Sequence, residues 1–265
     1  MATDKRAEIY DDLHHRQLAQ QEAQNRESAL TILGIVNEYL KPQSVLDIGC
    51  GLGTWLAVAR ELGAGNVHGV DGNWLDRSKL AIDSSLVTLC DLENGISLDR
   101  RFDLAICLEV GEHLFERAAP TLVASLTKHS DLVLFSAAIP FQGGHHHVNE
   151  RFLDYWESLF AAQGFRALDF IRPRIWTDSR ILWWLRQNVV VFAHDRLLAA
   201  NEKLRQEQTI ARPLSIVHPD VYLSRLREAQ RIAEEHQKLV THLGQGGTFS
   251  VTRLQDGRLN INKVN

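Results

Sequence analysis

Short apolar runs punctuate the middle of the chain at 44–48, 66–70, 86–90, 102–108, 131–137, 166–171 and 188–193, and each reads as a strand. Stretches with helical patterning, at 54–62, 76–80, 117–128 and 150–163, lie between them. Strands that alternate with helices predict a mostly parallel α/β sheet with helices on both faces. The last two strands are joined by a shorter connection, Arg172 to Gln187, which predicts an antiparallel edge strand as the seventh. Ahead of the sheet, Arg6 to Tyr39 reads as one or two helices, the second with Ala29, Leu30, Ile32, Leu33, Val36 and Leu40 on one stripe. After Asp195 the composition changes. Leu197–Gln208 is a charged helix, Pro213 and Pro219 break it, and Tyr222–Leu243 is a second charged helix. Thr248–Lys263 then alternates apolar and polar residues around Asp256–Gly257, a hairpin signal. The pattern predicts three parts: an N-terminal helical cap over 1–40, the α/β domain over 41–195, and a helical and hairpin extension over 196–265. The extension covers the core, forms a homodimer contact or contributes to the site, and nothing in its pattern chooses among these.

Composition bounds the picture without changing it. A chain of 265 residues with 45% hydrophobic content can bury a sizeable core, one large domain with appendages. A formal charge of -4 gives no basic footprint, so no nucleic-acid partner is expected. Cys50, Cys90 and Cys107 are an odd count without close pairing, which fits a reducing compartment and buried small apolar side chains. Met1–Arg6 leads into a polar helix, unlike a signal peptide, and no apolar run is long enough to span a bilayer. A cytoplasmic location, with no membrane partner, is expected.

The chemistry begins at Val45-Leu46-Asp47-Ile48-Gly49-Cys50-Gly51-Leu52-Gly53-Thr54-Trp55. A strand enters a turn with glycine at alternate positions, and a helix follows. Such a turn lets backbone approach a ligand closely, and the helix N-terminus offers unpaired N–H groups. A G-x-G-x-x-G dinucleotide fingerprint read from Gly49 would need its third glycine at Thr54, but it stands at Gly53. Asp71 ends the second strand, where a carboxylate accepts from ribose hydroxyls, and Gly72 gives clearance. The run Asp47, Gly49, Gly51, Gly53, with Cys50 inside it, resembles motif I of the class I S-adenosylmethionine methyltransferases. The resemblance implies a Rossmann-like, seven-stranded, mostly parallel sheet whose glycine loop passes the methionine part of the cofactor. It also implies that Asp91 accepts from the adenine amino group, with the Leu92 N–H reading a ring nitrogen. Trp74 either packs near the adenosine or is an ordinary surface or core aromatic.

The fourth strand ends in Glu109-Val110-Gly111-Glu112-His113-Leu114, similar to the E-x-x-E-H segment of many small-molecule methyltransferases. There Glu109 would face the methionine end or the acceptor. Glu112 and His113 stand at i, i+1, on different faces of a helix, so hydrogen bonding is preferred to metal ligation for them. The fifth strand runs into Gly143-Gly144-His145-His146-His147-Val148-Asn149-Glu150. Three readings compete for these histidines. The first is general base or acceptor positioning, with His146 and His147 ahead of His145. The second is a structurally bonded loop. The third is a metal site, ranked last because adjacent histidines are poorly spaced, so no metal is expected and activity should survive chelation.

Val70-Asp71-Gly72, Leu108–Leu114, His146–Glu150 and Tyr155-Trp156 together resemble a bacterial group of these methyltransferases acting on sugars, glycans and natural products. The implied function is S-adenosylmethionine-dependent O-methylation of a small hydroxylated acceptor. N-methylation of a small amine or heterocycle is the rival enzyme, and a cofactor-binding protein without catalysis is the rival outside enzymes. In the resembled fold, the N-terminal helix carrying Tyr10, His14 and His15 lies over the cofactor cleft. Ordinary amphipathic packing is the alternative for it.

Overall fold

In the computed structural model the described residues are 5–144, 146–208, 213–244, 248–253 and 259–264. The apolar runs become β1 (Ser44–Ile48), β2 (Asn66–Asp71), β3 (Val87–Leu89), β4 (Leu104–Leu108), β5 (Leu132–Ser136), β6 (Phe165–Leu168) and β7 (Val190–His194). They form one sheet in the order β3-β2-β1-β4-β5-β7-β6. Strands β1 to β5 pair in parallel, and β7 runs antiparallel to both β5 and β6. The antiparallel strand is therefore second from the edge, and β6 lies outside it, contrary to the edge placement that sequence predicts.

Helices α1 (Lys5–Asn37), α2 (Thr54–Glu61), α3 (Ala119–His129) and α4 (Leu153–Ala161) supply the two flanking layers. The connection between β6 and β7 holds α5 (Arg172–Ile175) and α6 (Trp183–Asn188), which the apolar pattern had not revealed. It is thus long enough to carry the chain past β6 and insert β7 against β5. Arg172, 1% exposed, anchors it: its guanidinium donates to Asp169 at 3.0 and 2.8 Å and to the Gln187 and Leu214 carbonyls. The helix predicted at 76–80 is a 3-10 turn over Arg77–Lys79, capped by Asp76, which accepts from the Ser78 N–H.

Alternate strand residues divide the core between the sheet faces. Val45, Leu104, Ile106, Leu132, Leu134 and Val191 pack with the buried stripe of α1 (Ala29, Ile32, Leu33, Val36) and with α2. Leu46, Ile48, Ala105, Cys107, Val133 and Phe135 pack with α3 and α4, where Trp156 and Phe160 are fully buried.

The chain divides into two compact units, Met1–Ile216 and Val217–Asn265. The first runs past the composition change at Asp195 because α7 (Asp195–Ala200) and α8 (Glu202–Gln208) bury Leu198 and Leu204 in the sheet's core. Asn201 splits the single helix that the sequence predicts here, capping α8 through the Leu204 N–H and donating to the Tyr39 carbonyl. The second unit contains α9 (Pro219–Gly244) and a hairpin of β8 (Thr248–Arg253) and β9 (Leu259–Val264), paired in the register Thr248↔Val264. The Asp256–Gly257 turn, His145 and the side chains of Tyr10, His14 and His15 lie outside the described residues. No described helix is long and apolar enough to cross a membrane.

Candidate active site

Strand order reverses direction between β1 and β4, and crevices of open α/β sheets lie at the carboxyl ends of such a pair. Both informative motifs stand there. Gly49, Gly51 and Gly53 all have left-handed φ, at 81°, 50° and 78°. A Cβ on Gly49 would collide with Val110, and one on Gly53 would stand 2.9 Å from Ile82 Cγ1, whereas one on Gly51 would meet nothing within 4 Å among the described residues. Two glycines thus serve packing, and Gly51 leaves open space. Asp71 fastens the turn: its Oδ2 accepts from the Gly51 N–H at 2.7 Å and its Oδ1 from the Gly72 N–H at 2.6 Å.

The open space is a cavity of about 560 Å³. Of the residues singled out in the sequence, Asp47, Gly49, Cys50, Gly51 and Glu109 line it. Gly53 caps α2 behind it, and Asp71, Gly72, Asp91 and Leu92 are not among the lining residues. Asp91 caps a 3-10 turn, accepting from Glu93 N–H and Asn94 Nδ2, and Leu92 is buried in the core. The exposed Trp74 indole covers Gly72 and occupies the place a Cβ would take. Burial, with the Asp71 charge beside it, pushes the Asp47 carboxyl up to about 8. Burial likewise raises the Cys50 and Cys107 thiols, which fits their reading as small apolar residues.

Leu52, Thr54, Trp55 and Leu108 of the quoted motifs also line the cavity, and the remainder was not singled out in the sequence. Gln21, Glu22 and Asn25 of α1 form one wall, Leu182, Trp184 and Leu185 another, and Lys79 brings a cation. The α1 wall is held to α2 by hydrogen bonds from Thr54 to Glu22 and from Trp55 Nε1 to Asn25. No local signal marks these residues, because they reach the cavity through tertiary packing of a long helix and a short hidden one.

Glu109 connects this cavity to the second motif. It sits at φ 54°, a left-handed conformation that costs about 1–3 kcal/mol for a residue with a side chain. Its N–H donates to the Ser136 carbonyl and Oγ, and its carboxylate accepts from Asn188 Nδ2 at 3.1 Å and Gln142 Nε2 at 3.0 Å. Gln187 joins the network through Gln142. The polar Gln187-Asn188 pair, set directly against the apolar run 189–193, is the sequence signal that marks it. Burial raises the Glu109 carboxyl against these hydrogen bonds.

Three residues on, Glu112 is fully buried, and neither of its oxygens has a donor in bonding geometry among the described residues, although Glu109 and the Ala138 backbone stand near. Burial, then the Glu109 charge, raises it well above the usual carboxylate range. Gly111–His113 is a 3-10 turn, not the helix assumed in weighing the i, i+1 pair, and the histidine loop is stapled to it. Val148 and Asn149 N–H groups donate to the Glu112 carbonyl at 2.8 and 3.0 Å. Glu150 organises the loop, accepting from the Phe141 and Gly143 N–H groups and bonding His147 Nδ1 at 2.9 Å. His146 is exposed at φ 56°, and His147 packs edge-on against His113 with ring centroids 4.9 Å apart. Neither His146 nor His147 lines the 560 Å³ cavity.

A family profile described as a methyltransferase domain matches residues 3–173, more than half of the chain. The chain belongs to this methyltransferase family. No curated protein matches it in sequence. DesVI of Streptomyces venezuelae aligns at a TM-score of 0.50 with 15% identity, over 73% of this chain and 100% of its own. CalS10, an amino pentose methyltransferase from Micromonospora echinaspora, aligns at 0.50 with 13% identity, over 69% and 96%. The sugar N-methyltransferase KedS8 from a Streptoalloteichus species aligns at 0.50 with 17% identity, over 69% and 92%. These likenesses are of fold. The protein is an S-adenosylmethionine-dependent methyltransferase, and the cavity suits that cofactor. A Cβ on Gly51 would meet nothing within 4 Å among the described residues, and the Asp47 and Glu109 carboxyls line the cavity.

Proposed function

We propose that this methyltransferase acts on a hydroxyl oxygen of a small polar acceptor, such as a sugar, a glycan or another natural product. The observation that carries the reading is the cluster of imidazoles and carboxylates built from the ends of β4 and β5 next to Glu109, whose own carboxylate lines the cavity. We assign the methionine end of the cofactor to Gly49, Cys50 and Gly51, with Lys79 for its carboxylate and Asp47 and Glu109 for its positive charges. Asp71 and Gly72 are assigned to the ribose, and Asp91 and the Leu92 N–H to the adenine, which requires Trp74 to move from over Gly72.

S-adenosylmethionine supplies a methyl group already activated on a sulfonium. The chain's own residues supply alignment and proton removal. An alcohol must lose its proton as the O–C bond forms, while an amine acceptor with a free lone pair needs less help. The ordered imidazoles at the acceptor end therefore favour oxygen over nitrogen, although KedS8 is named for N-methylation of a sugar. His147 is oriented by Glu150, and His146 stands exposed beside it.

The reading is tested with isotopically labelled cofactor, offered matched hydroxyl and amino acceptors in metabolite extracts. Label is expected on oxygen. His146→Ala and His147→Ala should each lower turnover by about 10²–10⁴-fold, with cofactor affinity kept. Label only on nitrogen, or full turnover in the double variant, would overturn the reading.

A further inference from the structure

One ligand atom each from Glu112, His113 and His147 lies within 4.8 Å of the other two. We propose that these three residues hold a divalent transition-metal ion at the acceptor end of the active site. The proposal rests on the hydroxyl-acceptor reading for its purpose, but not for its geometry, and it reverses the expectation drawn from sequence spacing.

That expectation compared neighbours along one helix. In the structure the first two ligands sit on a 3-10 turn and the third comes from a separate loop, so their separation in sequence does not limit their separation in space.

Four observations converge on a cation. The Glu112 carboxyl is 0% exposed, and neither oxygen has a donor in full hydrogen-bonding geometry among the described residues, with the Glu109 carboxyl and the Ala138 backbone beside it; buried carboxylates in proteins are paired or ligate metals. His147 carries the outer support usual for a metal-binding imidazole: Nδ1 bonds Glu150 at 2.9 Å, which leaves Nε2 with the lone pair that an ion needs. The two segments are already joined, through the Val148 and Asn149 N–H groups on the Glu112 carbonyl. His113 is exposed, so the cluster opens to solvent, and coordination positions remain for an acceptor oxygen.

Ligand type narrows the ion. Two imidazoles and one carboxylate suit Mn²⁺, Fe²⁺, Co²⁺ or Zn²⁺, whereas Mg²⁺ prefers oxygen ligands. Bonds of about 2.0–2.2 Å place neighbouring ligand atoms roughly 3–3.5 Å apart. Any pair standing at the full 4.8 Å must therefore close by roughly 1.3–1.8 Å on loading.

Such an ion supplies Lewis acidity to the acceptor hydroxyl. The oxygen forms its bond to the methyl carbon, the C–S bond pair returns to sulfur, and the hydroxyl proton passes to His146. His147 then acts as a ligand, and proton acceptance falls to its neighbour.

The test uses the full chain after chelator dialysis, with no acceptor present. Mn²⁺ is titrated by the loss of its free electron-spin-resonance signal, and Zn²⁺ and Mg²⁺ by calorimetry. One Mn²⁺ or Zn²⁺ per chain is expected, with Mg²⁺ at least tenfold weaker. Glu112→Gln and His147→Ala should each weaken Mn²⁺ by tenfold or more, while His236→Ala, on an exposed part of α9, should not change it. Pulsed spin resonance of the wild-type Mn²⁺ complex should show coupling to imidazole nitrogen, a readout that needs no variant to fold. No binding at millimolar metal, the outcome if Glu112 is simply kept neutral by burial, would overturn the proposal, as would a bound ion without nitrogen coupling. Bound metal without oxygen methylation would instead overturn the hydroxyl-acceptor reading and leave the site standing.

Discussion

At the carboxyl end of β1 the protein builds with backbone, and at the ends of β4 and β5 it builds with side chains. The glycine turn places three left-handed residues in five positions and fastens them with one carboxylate, Asp71, so its geometry is local. The cluster proposed for the acceptor is assembled from Glu109 and Glu112 after β4, the loop to Glu150 after β5, and Gln187 and Asn188 before β7. One glycine run, with Asp71 from the neighbouring strand, determines the first. The second exists only when the sheet brings strands β4, β5 and β7 side by side. A turn of the first kind can serve one cofactor with many acceptors, because nothing in it depends on the acceptor. Clusters of the second kind can be rebuilt residue by residue.

The largest expected effect breaks the backbone half. Gly51→Val puts a β-branched side chain at φ 50° and into a direction that meets nothing within 4 Å among the described residues. S-adenosylmethionine affinity should fall by more than about 100-fold, combining backbone strain of about 1–3 kcal/mol with filled ligand space. Circular dichroism should still report the sheet. Wild-type affinity by calorimetry would remove the glycine turn from the cofactor site.

Glu109→Gln probes the joint between the halves. The Asn188 and Gln142 amides would then face a side chain with one acceptor oxygen fewer, and the cavity would lose a negative charge. A hydrogen-bonded charged group is worth about 1.5–3 kcal/mol, or roughly 10–150-fold in cofactor affinity. An unchanged affinity with lowered turnover would assign Glu109 to the acceptor half alone.

Legibility in the sequence follows the same division. Each of the seven apolar runs between 44 and 193 became a strand, since short buried strands between polar turns are marked by their own residues. Asp47, Gly49, Cys50, Gly51 and Glu109 reach the cavity, and in the sequence it is the resemblance to methyltransferase motifs that singles them out. The position of β7 was not legible, because α5 and α6 are too short and too mixed in pattern to show as helices, and their length decides where the chain can insert. The boundary after Asp195 was misplaced because Leu198 and Leu204 are single apolar residues in charged helices, and their burial is decided by the sheet. The partners of Glu109 and the meeting of Glu112 with His147 are matters of tertiary packing, invisible to spacing along the chain.

A third, smaller effect concerns the wall that α1 lends to the backbone half. Deleting the residues before Ser28 removes Gln21, Glu22 and Asn25 from the cavity but keeps the buried stripe from Ala29 to Val36. The hydrogen bonds lost include those to Thr54 and Trp55, which alone amount to about 1–3 kcal/mol and so to several degrees of Tm. Turnover should fall further, by roughly tenfold, if water enters the cofactor site. A truncated enzyme with full turnover would make α1 a packing element only.

The smallest effect is a proton. Asp47 is buried with its carboxyl raised from 3.8 to about 8, first by burial and then by Asp71, so at neutral pH the empty protein holds it protonated. The sign for stability follows. A carboxyl whose folded pKa lies above its unfolded one contributes fully below the unfolded value, and that contribution is lost as pH rises through the folded value. The empty protein should therefore lose stability between about pH 4 and pH 8, with a slope of at most about 1.4 kcal/mol per pH unit from this group. Asp47→Asn, which cannot ionise, should flatten that slope. A cationic cofactor in the cavity favours the ionised carboxylate, so binding near pH 7 should release up to one proton. The release is read as a binding enthalpy that changes with the ionisation heat of the buffer, and it should vanish in Asp47→Asn. If wild type and variant release the same number of protons, Asp47 lies too far from the positive charges of the cofactor to sense them. The backbone half would then bind its ligand by shape and hydrogen bonding alone.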